Sequence, residues 1–324
     1  MELKNKSICV TGGLGFIGSH FVQLLLNVCS NCSIDIVDSF DYCVSEKTED
    51  LLRADDSNNN IKIIHRDIGL YLPEGHCDFI VNFAAQSHVD NSIDDPASFV
   101  DSNYCGFFTL LDNVSKPTRF LQVSTDEVYG SCSNALEDHA LNPSSVYSST
   151  KAGADILGLS MHKTNGLDFL ITRSCNNFGP RQFDEKFIPV ILRSIFTGKN
   201  IPIYGDGKNK RQWIHVEENC QQILGVMLYG KSGEIYNITP NEKDNIFSNV
   251  DLVDLFIDAC GYSDKNIKQF VKDREAHDLC YSMNGNKTKK LLKDVNFEVD
   301  MRKFQDTINS TVDWYKCNLD WFSY

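Results

Sequence analysis

Short runs of β-branched and aliphatic residues alternate with longer amphipathic stretches through the first half of the chain. Such alternation is typical of parallel strands joined by crossover helices. The runs that predict strands are Ser7–Thr11, Ile34–Asp38, Ile61–His65, Phe79–Phe83, Arg119–Ser124 and Phe169–Ser174. The stretches that predict helices are Gly18–Val28, Ala97–Val114 and Ser145–His162. The first half therefore predicts an α/β fold with a doubly wound parallel sheet.

After about residue 176 the pattern becomes irregular, with loops rich in Gly, Asn and Pro between shorter helical stretches. Those stretches are Ile188–Thr197, Val216–Leu228 and Val250–Ala259. At 324 residues the chain exceeds the size at which a single core usually stops growing. We therefore predict a Rossmann-type domain over residues 1–175 and a smaller α/β lobe over residues 176–324, part of which returns to the first domain.

Charge and composition narrow the range of partners. The formal net charge of −13 argues against nucleic acid, because such partners need clustered Lys and Arg. No apolar run approaches the roughly 18 residues needed to span a bilayer, and the first residues lack a signal-peptide pattern. We therefore expect a cytoplasmic protein with no membrane partner.

The 12 cysteines are irregularly spaced, which predicts reduced thiols rather than a disulfide framework. Cys29 and Cys32 have CxxC spacing, but the chain has no second such pair and no zinc-type histidine partner. No metal site is expected.

A glycine-rich turn follows the first strand and opens directly into a helix. Its glycines, Gly12, Gly15 and Gly18, have G-x-x-G-x-x-G spacing, and Phe16 and Ile17 lie between the last two. Glycines allow the tight turn and the close approach of backbone N–H groups to a pyrophosphate, and the helix N-terminus adds a partial positive charge. These five residues are candidates for dinucleotide binding.

Acidic residues after the second and third strands fit the same interpretation. Asp38 lies 20 positions after Gly18, where a carboxylate accepts hydrogen bonds from the ribose 2′-hydroxyl and repels a 2′-phosphate. This favours NAD over NADP. Asp67 and Ile68 fall where contacts to the adenine ring are expected, on position alone.

Tyr147 and Lys151 stand four residues apart on a predicted helix, so both side chains share one face. A nearby ammonium stabilises a phenolate and lowers the tyrosine pKa, so we expect Tyr147 to remove a proton from a hydroxyl group. Lys151 can also hold the nicotinamide ribose.

Thr125, Asp126 and Glu127 follow the fifth predicted strand, at the edge where the cofactor is expected. Two adjacent carboxylates at one site usually have separated pKa values, so that one can act as an acid and the other as a base. A solvated acidic turn is the plainer interpretation, and the flanking apolar strand argues against it.

Further short motifs follow in order almost to the C-terminus: Asn82–Asp90, Asn176–Pro180, Glu185–Pro189, Tyr204–Gly207 with Arg211, and Asp273-Arg274 with His277-Asp278. Together these motifs resemble the nucleoside-diphosphate-hexose 4,6-dehydratases of the extended short-chain dehydrogenase/reductase type, in particular the dTDP-glucose and UDP-glucose enzymes. The resemblance implies tightly bound NAD in the first domain and a nucleotide sugar in the second lobe.

The resemblance also implies a mechanism in three steps. Tyr147, assisted by Thr125, deprotonates the C4 hydroxyl while NAD takes the C4 hydride. Glu127 removes the acidified C5 proton and Asp126 protonates the departing C6 hydroxyl. Hydride then returns to C6, giving a 4-keto-6-deoxy sugar. The implied substrate contacts are Asn176, Lys186, Pro202, Tyr204, Arg211 and His277, with Arg211 and His277 at the diphosphate and Pro202 and Tyr204 at the base.

Three features depart from the bacterial dTDP-glucose pattern, and one of them is that the residues after Asp38 do not match it. Gln86 stands where those enzymes usually carry Glu, and Gln86 together with Asn91 is more like the eukaryotic UDP-glucose enzymes. Ala276 replaces a Gly before the His-Asp pair. The base and the C2 substituent therefore stay open.

Other functions remain to be weighed. A dehydratase of UDP-N-acetylglucosamine, with or without inversion at C5, usually has Lys where Glu127 stands. A nucleotide-sugar 4-epimerase needs no acid/base pair beyond Tyr147, and a non-catalytic NAD-binding regulator tends to lose Tyr147 or Lys151. The resemblance also suggests a homodimer formed through Ala97–Val114 and Ser145–His162, with Ile156, Leu157 and Leu159 as candidate contacts.

Overall fold

The structure, a computed structural model, describes residues 3–54, 59–73, 75–241, 245–273 and 277–322. The strands are β1 (Leu3–Lys4), β2 (Ser7–Thr11), β3 (Cys29–Ser30), β4 (Ser33–Asp38), β5 (Asn60–His65), β6 (Phe79–Asn82), β7 (Arg119–Thr125), β8 (Cys132–Ala135), β9 (Asp168–Ser174), β10 (Asn176–Phe178), β11 (Ile201–Tyr204), β12 (Lys210–His215), β13 (Ile235–Ile238), β14 (Ile246–Ser248), β15 (Lys268–Val271) and β16 (Cys280–Met283).

The α-helices are α1 (Phe16–Val28), α2 (Glu46–Ala54), α3 (Val89–Asp94), α4 (Pro96–Val100), α5 (Phe107–Asp112), α6 (Val146–Asn165), α7 (Phe187–Thr197), α8 (Val216–Tyr229), α9 (Asn249–Ala259), α10 (Asn286–Asp294) and α11 (Phe304–Cys317). A π-helical turn, Asp101–Gly106, joins α4 to α5, and a 3₁₀ turn, Asp126–Tyr129, follows β7.

The main sheet has seven parallel strands in the order β13-β9-β7-β6-β2-β4-β5. Six of these are the strands predicted from the sequence, and their ends differ from the prediction by at most one residue. The α/β fold of Rossmann type is therefore confirmed. The strand order reverses between β2 and β6, which is where ligands bind in sheets of this kind.

Helices cover both faces of the main sheet. One apolar core includes Phe21 of α1 and Ile223 of α8, and the other includes Phe107 of α5 and Phe169 of β9, all fully or almost fully buried. The inner strands β2, β6, β7 and β9 are near-continuous runs of buried residues because both of their faces are covered. The layers hold the carboxyl ends of the strands in fixed positions.

The predicted helix Ala97–Val114 is not a single α-helix. It begins at Pro96, and the turn Asp101–Gly106 makes π-type hydrogen bonds before α5 continues to Asp112. Asp95 caps the beginning, with its side chain accepting from the N–H of Ser98. The helix Ser145–His162 is present as α6, and Ser145 caps it in a capping box with Ser148.

A smaller sheet, β10-β12-β16-β8 with β14 paired to β12, lies in the second half of the molecule. Its pairings are parallel except for β12 with β14. A separate core lies beside it and includes Phe178, Trp213, Phe256 and Tyr315. A further parallel pair, β11 with β15, holds Tyr204.

Two strands link the halves of the chain. β13 lies in the second half and pairs with β9 at the edge of the main sheet, whereas β8 lies in the first half and pairs with β16 of the smaller sheet. The division at residue 175 stays a prediction.

The 12 cysteines are all free thiols. Within the described residues no cluster of three or more His, Cys, Asp or Glu side chains is arranged to hold a metal ion. In the same part of the chain, no helix has the length and apolar character needed to cross a bilayer.

Candidate active site

A cleft of about 700 Å³ lies at the carboxyl edge of the main sheet, between that sheet and the elements of the second half. Its wall contains all the residues that the sequence singled out for catalysis or binding: Gly12, Gly15, Phe16, Ile17, Gly18, Asp38, Asp67, Ile68, Thr125, Asp126, Glu127, Tyr147, Lys151, Asn176, Lys186, Pro202, Tyr204, Arg211 and His277. The structure brings them together, and their individual roles remain predictions.

The glycine turn has the shape that a dinucleotide requires. Gly12 has φ +67°, and its N–H donates to the carbonyl of Val37 at 2.7 Å. A Cβ on Gly18 would lie 2.1 Å from the carbonyl oxygen of Gly12, so no larger residue fits there. The N-cap residue Gly15 offers α1 no side-chain hydrogen bond, which leaves the first N–H groups of the helix to a phosphate.

Asp38 lies beside this turn at the end of β4. One carboxylate oxygen accepts the N–H of Leu14 and the other accepts the N–H of Phe40, both at 3.0 Å. Burial raises the pKa of Asp38, and these backbone hydrogen bonds oppose the rise. A carboxylate has about four lone-pair sites, so each oxygen keeps capacity for a ribose hydroxyl. The donor set and the turn therefore fit NAD.

Thr125, Asp126 and Glu127 form the end of β7 and the first turn after it. The hydroxyl of Thr125 donates to Asp126 at 3.2 Å and accepts the N–H of Glu127 at 3.3 Å. Asp126 is only 3% exposed, and burial together with the neighbouring carboxylate of Glu127 raises its pKa to about 7. Asp126 is therefore about half protonated near pH 7, and the protonated form can act as a general acid.

Tyr147 and Lys151 share one face of α6, as the spacing predicted, but they do not contact each other directly. The ammonium of Lys151 donates to the carbonyl of Val123 at 2.8 Å. Burial raises the pKa of Tyr147, and the carboxylates of Glu127 and Asp126 raise it further. The prediction that the pKa of Tyr147 is lowered is therefore wrong for the protein alone, since burial and the two carboxylates dominate.

A buried ion pair lies behind Lys151. Asp155, one turn further along α6, accepts from Arg173 Nε at 2.9 Å and from Ser124 Oγ at 3.1 Å. The guanidinium of Arg173 lies 4.8 Å from the centre of the Tyr129 ring. Burial lowers the pKa of Lys151 to about 8, and the carboxylate of Asp155 opposes that effect. The sequence analysis did not identify this pair, because neither residue belongs to a recognisable motif.

Arg211 is held against an aromatic ring. Its guanidinium lies 4.1 Å from the centre of the Tyr281 ring, and Nη2 donates to the carbonyl of Asp278 at 3.0 Å. The side chain of Asp278 accepts from the hydroxyls of Tyr281 and of Ser144, the residue before the cap of α6. Tyr281 also lines the cleft, and sequence reasoning missed it because its contacts depend on the pairing of β16 with β12.

The other candidate substrate contacts line the cleft from several elements. Asn176 begins β10, Lys186 precedes α7, and Pro202 and Tyr204 lie on β11, with Tyr204 42% exposed. Tyr204 and His277 meet edge to face with ring centres 6.4 Å apart. His277 also contacts Asp273, with 2.6 Å between Nδ1 and Oδ1.

The structure gives a physical reason for one departure from the bacterial pattern. The amide of Gln86 donates to the carboxylate of Asp41, so a glutamate at position 86 would place two carboxylates together. Asn91 donates to the hydroxyl of Tyr42 at 3.0 Å. The third departure, Ala276, lies outside the described residues, as does Arg274.

Comparison with known proteins places this cleft in context. A family model described as GDP-mannose 4,6 dehydratase matches residues 9–305. The chain is 42% identical over 316 residues to the low-salt glycan biosynthesis protein Agl12 of Haloferax volcanii, covering 95% of this chain and 98% of that protein. It is 38% identical over 330 residues to a dTDP-glucose 4,6-dehydratase of an Actinoplanes species, covering 98% and 99%.

Solved structures agree with the sequence comparisons. DesIV, a dTDP-glucose 4,6-dehydratase from Streptomyces venezuelae solved with NAD bound, is 37% identical with a TM-score of 0.89, covering 98% of this chain and 99% of that one. The dTDP-glucose 4,6-dehydratase of Bacillus anthracis in complex with NAD is 35% identical with a TM-score of 0.86, covering 98% of each chain.

Proposed function

This chain belongs to the nucleoside-diphosphate-sugar 4,6-dehydratase family of extended short-chain dehydrogenases/reductases, and we propose that it dehydrates UDP-glucose or dTDP-glucose to the 4-keto-6-deoxy sugar with tightly bound NAD. The observation that carries the proposal is the adjacent pair Asp126 and Glu127, in which the buried Asp126 has a pKa raised to about 7. A separated acid and base are what the loss of water requires and what a 4-epimerase does not need.

The first step is oxidation at C4. When bound, NAD supplies the hydride chemistry, accepting hydride from C4 and later returning it to C6. Tyr147 takes the proton of the C4 hydroxyl, with Thr125 beside it. Lys151 places a positive charge one helical turn away, which favours the developing phenolate.

The second step is the loss of water across C5 and C6. The C4 ketone acidifies the C5 proton, because the resulting carbanion is delocalised as an enolate. Glu127 removes this proton and Asp126 donates one to the departing C6 hydroxyl. Burial of Asp126 favours its neutral form and limits the access of bulk water.

The nucleotide part of the substrate is assigned to the second half of the chain. Arg211, stacked on Tyr281, presents a guanidinium suited to a diphosphate, and His277 adds a second contact. Pro202 and Tyr204 border the base, and Asn176 and Lys186 contact the sugar phosphate. Glucose rather than N-acetylglucosamine is favoured because Glu127 stands where the latter enzymes usually carry Lys.

We also propose a homodimer. Val100, Tyr104 and Phe108 follow one face of the α4–α5 segment and are 38–45% exposed, and Ile156 on the neighbouring α6 is 58% exposed. Such adjacent apolar side chains mark association surfaces. Leu157 and Leu159, the other two candidates from the sequence, pack against the core of the same subunit instead.

A product assay tests the proposal. The protein is incubated with UDP-glucose, dTDP-glucose, UDP-N-acetylglucosamine and UDP-galactose in heavy water, and the products are analysed by NMR. We expect a 4-keto-6-deoxyglucose nucleotide with deuterium at C5. A 4-keto-6-deoxy product from UDP-N-acetylglucosamine alone, or simple interconversion of glucose and galactose, would overturn it.

Replacing Glu127 by Gln separates the two steps. The amide cannot remove the C5 proton, so E127Q should reduce NAD on addition of substrate but form product at least about 10²-fold more slowly than wild type. Absorbance at 340 nm reports the reduced cofactor. Dehydration at the wild-type rate would show that Glu127 is not the base.

A further inference from the structure

Five side chains from three separate segments of the chain are connected by hydrogen bonds beside the cleft, and four of them line it. Asp41 and Tyr42 follow β4, Gln86 and Asn91 follow β6, and Glu185 precedes α7. We call this set the clasp. Gln86 donates to Asp41, Asn91 donates to the Tyr42 hydroxyl at 3.0 Å, and that hydroxyl donates to Glu185 at 3.2 Å.

The clasp lies beside the dinucleotide turn. Its first loop begins three residues after Asp38, the candidate ribose ligand. Its second loop begins next to the glycine turn, since a Cβ on Gly12 would lie 2.5 Å from the backbone nitrogen of Ala84. Asp41, Tyr42, Gln86 and Glu185 all line the cleft. A dinucleotide that lies on the glycine turn therefore shares the cleft with four of the clasp residues.

The tyrosine hydroxyl joins the two halves of the chain. It accepts from Asn91 and donates to Glu185, and only a group that is both donor and acceptor can do this. Burial and the neighbouring Glu185 raise the pKa of Tyr42, so its hydroxyl keeps the proton that it donates. A parallel connection runs from Lys186, whose ammonium donates to the carbonyl of Ser87 at 3.0 Å.

Folding does not account for the arrangement. Tyr42 is 47% exposed, and the hydrogen bonds of so exposed a side chain add little to stability. The same contacts join segments that line the cleft, so breaking them can change how easily a ligand leaves it. We therefore expect these contacts to affect the rate of ligand exchange more than the stability of the fold.

We propose that the clasp retains NAD in the cleft between turnovers, with Tyr42 as its central positioning residue. The inference rests on the proposed function, in which the cofactor is regenerated in every cycle and has no reason to leave. Opening the clasp breaks the hydrogen bonds of Tyr42 and the contact between Gln86 and Asp41. Loss of these contacts should accelerate the release of NAD without changing how it is held by Asp38 and the glycine turn.

The first test is Tyr42→Phe, which removes only the hydroxyl. Wild-type and variant proteins are loaded with labelled NAD, an excess of unlabelled NAD is added, and the bound label is followed by rapid gel filtration. We expect release from Y42F to be about threefold to tenfold faster, and the purified variant to contain less NAD. Tyr229→Phe is the matched control, since Tyr229 is 40% exposed and does not line the cleft.

The second test exchanges the amide and the carboxylate in the contact between Gln86 and Asp41. Gln86→Glu places a carboxylate against Asp41 and should accelerate release, whereas the double variant Asp41→Asn/Gln86→Glu restores an amide opposite a carboxylate and should slow it again. Thermal midpoints measured with saturating NAD should agree among all variants within about 2 °C.

The outcomes separate the two proposals. Wild-type protein that neither contains nor binds NAD would overturn the proposed function itself. Wild-type protein that retains NAD, together with Y42F that releases it at the same rate, would overturn the clasp alone. The clasp proposal would also be overturned if the double variant Asp41→Asn/Gln86→Glu released NAD as fast as Q86E. Faster release that is accompanied by a large fall in the thermal midpoint would overturn it too.

Discussion

At the scale of single residues, the proposed chemistry of the cleft depends on the effect of burial on the pKa of Asp126, which lies beside a second carboxyl group, Glu127. Asp126 is buried and its pKa is raised to about 7, with the charge of Glu127 as a second cause. The free carboxyl pKa of aspartate is about 3.9, so the protein holds this proton across several pH units. In the proposed mechanism this shift suits Asp126 to the role of the acid.

This shift predicts the pH dependence of the reaction. Asp126 must be protonated to act as an acid, so kcat/KM for dehydration should fall as pH rises through about 7. Asp126→Asn should lower the rate by about 10²–10⁴-fold and remove this decline. The measurement is kcat/KM from pH 5.5 to 9, with Asp306→Asn, at an exposed carboxylate on α11 that does not line the cleft, as the control; a decline that persists in D126N would assign it to another group.

The same shift affects stability. Because the folded protein binds this proton more tightly than the unfolded chain, the contribution of Asp126 to the free energy of unfolding decreases as pH rises from about 4 to about 7. This loss of stability is a consequence of burying Asp126. No further loss is expected above pH about 7, the pKa of Asp126 in the folded protein.

At the scale of elements, α6 is tied to the sheet by the ion pair between Asp155 and Arg173. Both side chains are at most 2% exposed, and their nitrogen and oxygen atoms lie 2.9 Å apart. Breaking such a pair from one side leaves a buried charge uncompensated. Arg173 of β9 therefore neutralises the buried carboxylate of Asp155 on α6, the helix that carries Tyr147 and Lys151.

Arg173→Met should lower the free energy of unfolding by about 3–5 kcal/mol, and the double variant Asp155→Leu/Arg173→Met should lose much less than the sum of the single changes. The deficit of R173M should shrink as pH falls from 7 to 5, because Asp155 can then be protonated. Thermal unfolding across this range is the measurement. Arg53→Met, which breaks the exposed pair with Glu49, is the control and should lower the free energy of unfolding by under about 1 kcal/mol. Equal losses in R173M and R53M would contradict a special role for the buried pair.

The elements that could be predicted from the sequence are those with a long repeating pattern. The runs Ser7–Thr11 and Arg119–Ser124 are apolar enough to identify as strands without tertiary information. β13 was missed because Asn237 interrupts its short run of apolar residues, and its position next to β9 depends on long-range pairing. The π turn at Asp101–Gly106 was missed because helix periodicity does not distinguish it from the α-helix on either side.

Prediction of the site from the sequence was limited in the same way, by contacts between residues that are far apart in the chain. Residues in compact motifs, such as Tyr147 with Lys151, were identified because their spacing carries the geometry. Tyr281, Asp41 and Tyr42 were not, because each contacts residues far away in the chain. The pKa of Tyr147 was predicted in the wrong direction, since spacing gives the position of Lys151 but not the burial of the phenol or the nearby carboxylates.

At the scale of the whole molecule, the exposed apolar surface on α4, α5 and α6 sets the expected assembly. Phe108→Glu and Ile156→Glu place charges in the proposed dimer contact, so each should shift the protein from dimer to monomer. Sedimentation equilibrium measures this directly. Leu279→Glu, at a residue that is 74% exposed on another surface, is the control and should stay dimeric. A monomeric wild type would contradict the proposed homodimer.

The late position of β13 has a consequence for synthesis of the chain. β9 ends at Ser174 and its edge partner β13 begins at Ile235, so about 60 residues must be translated between them. At roughly 5–20 residues per second, the ribosome leaves the open backbone edge of β9 without its partner for about 3–12 s. A nascent chain in this interval presents unpaired N–H and C=O groups to other polypeptides. Demand for chaperones during translation, and aggregation of a truncated first half, follow from the order of strands in this sheet.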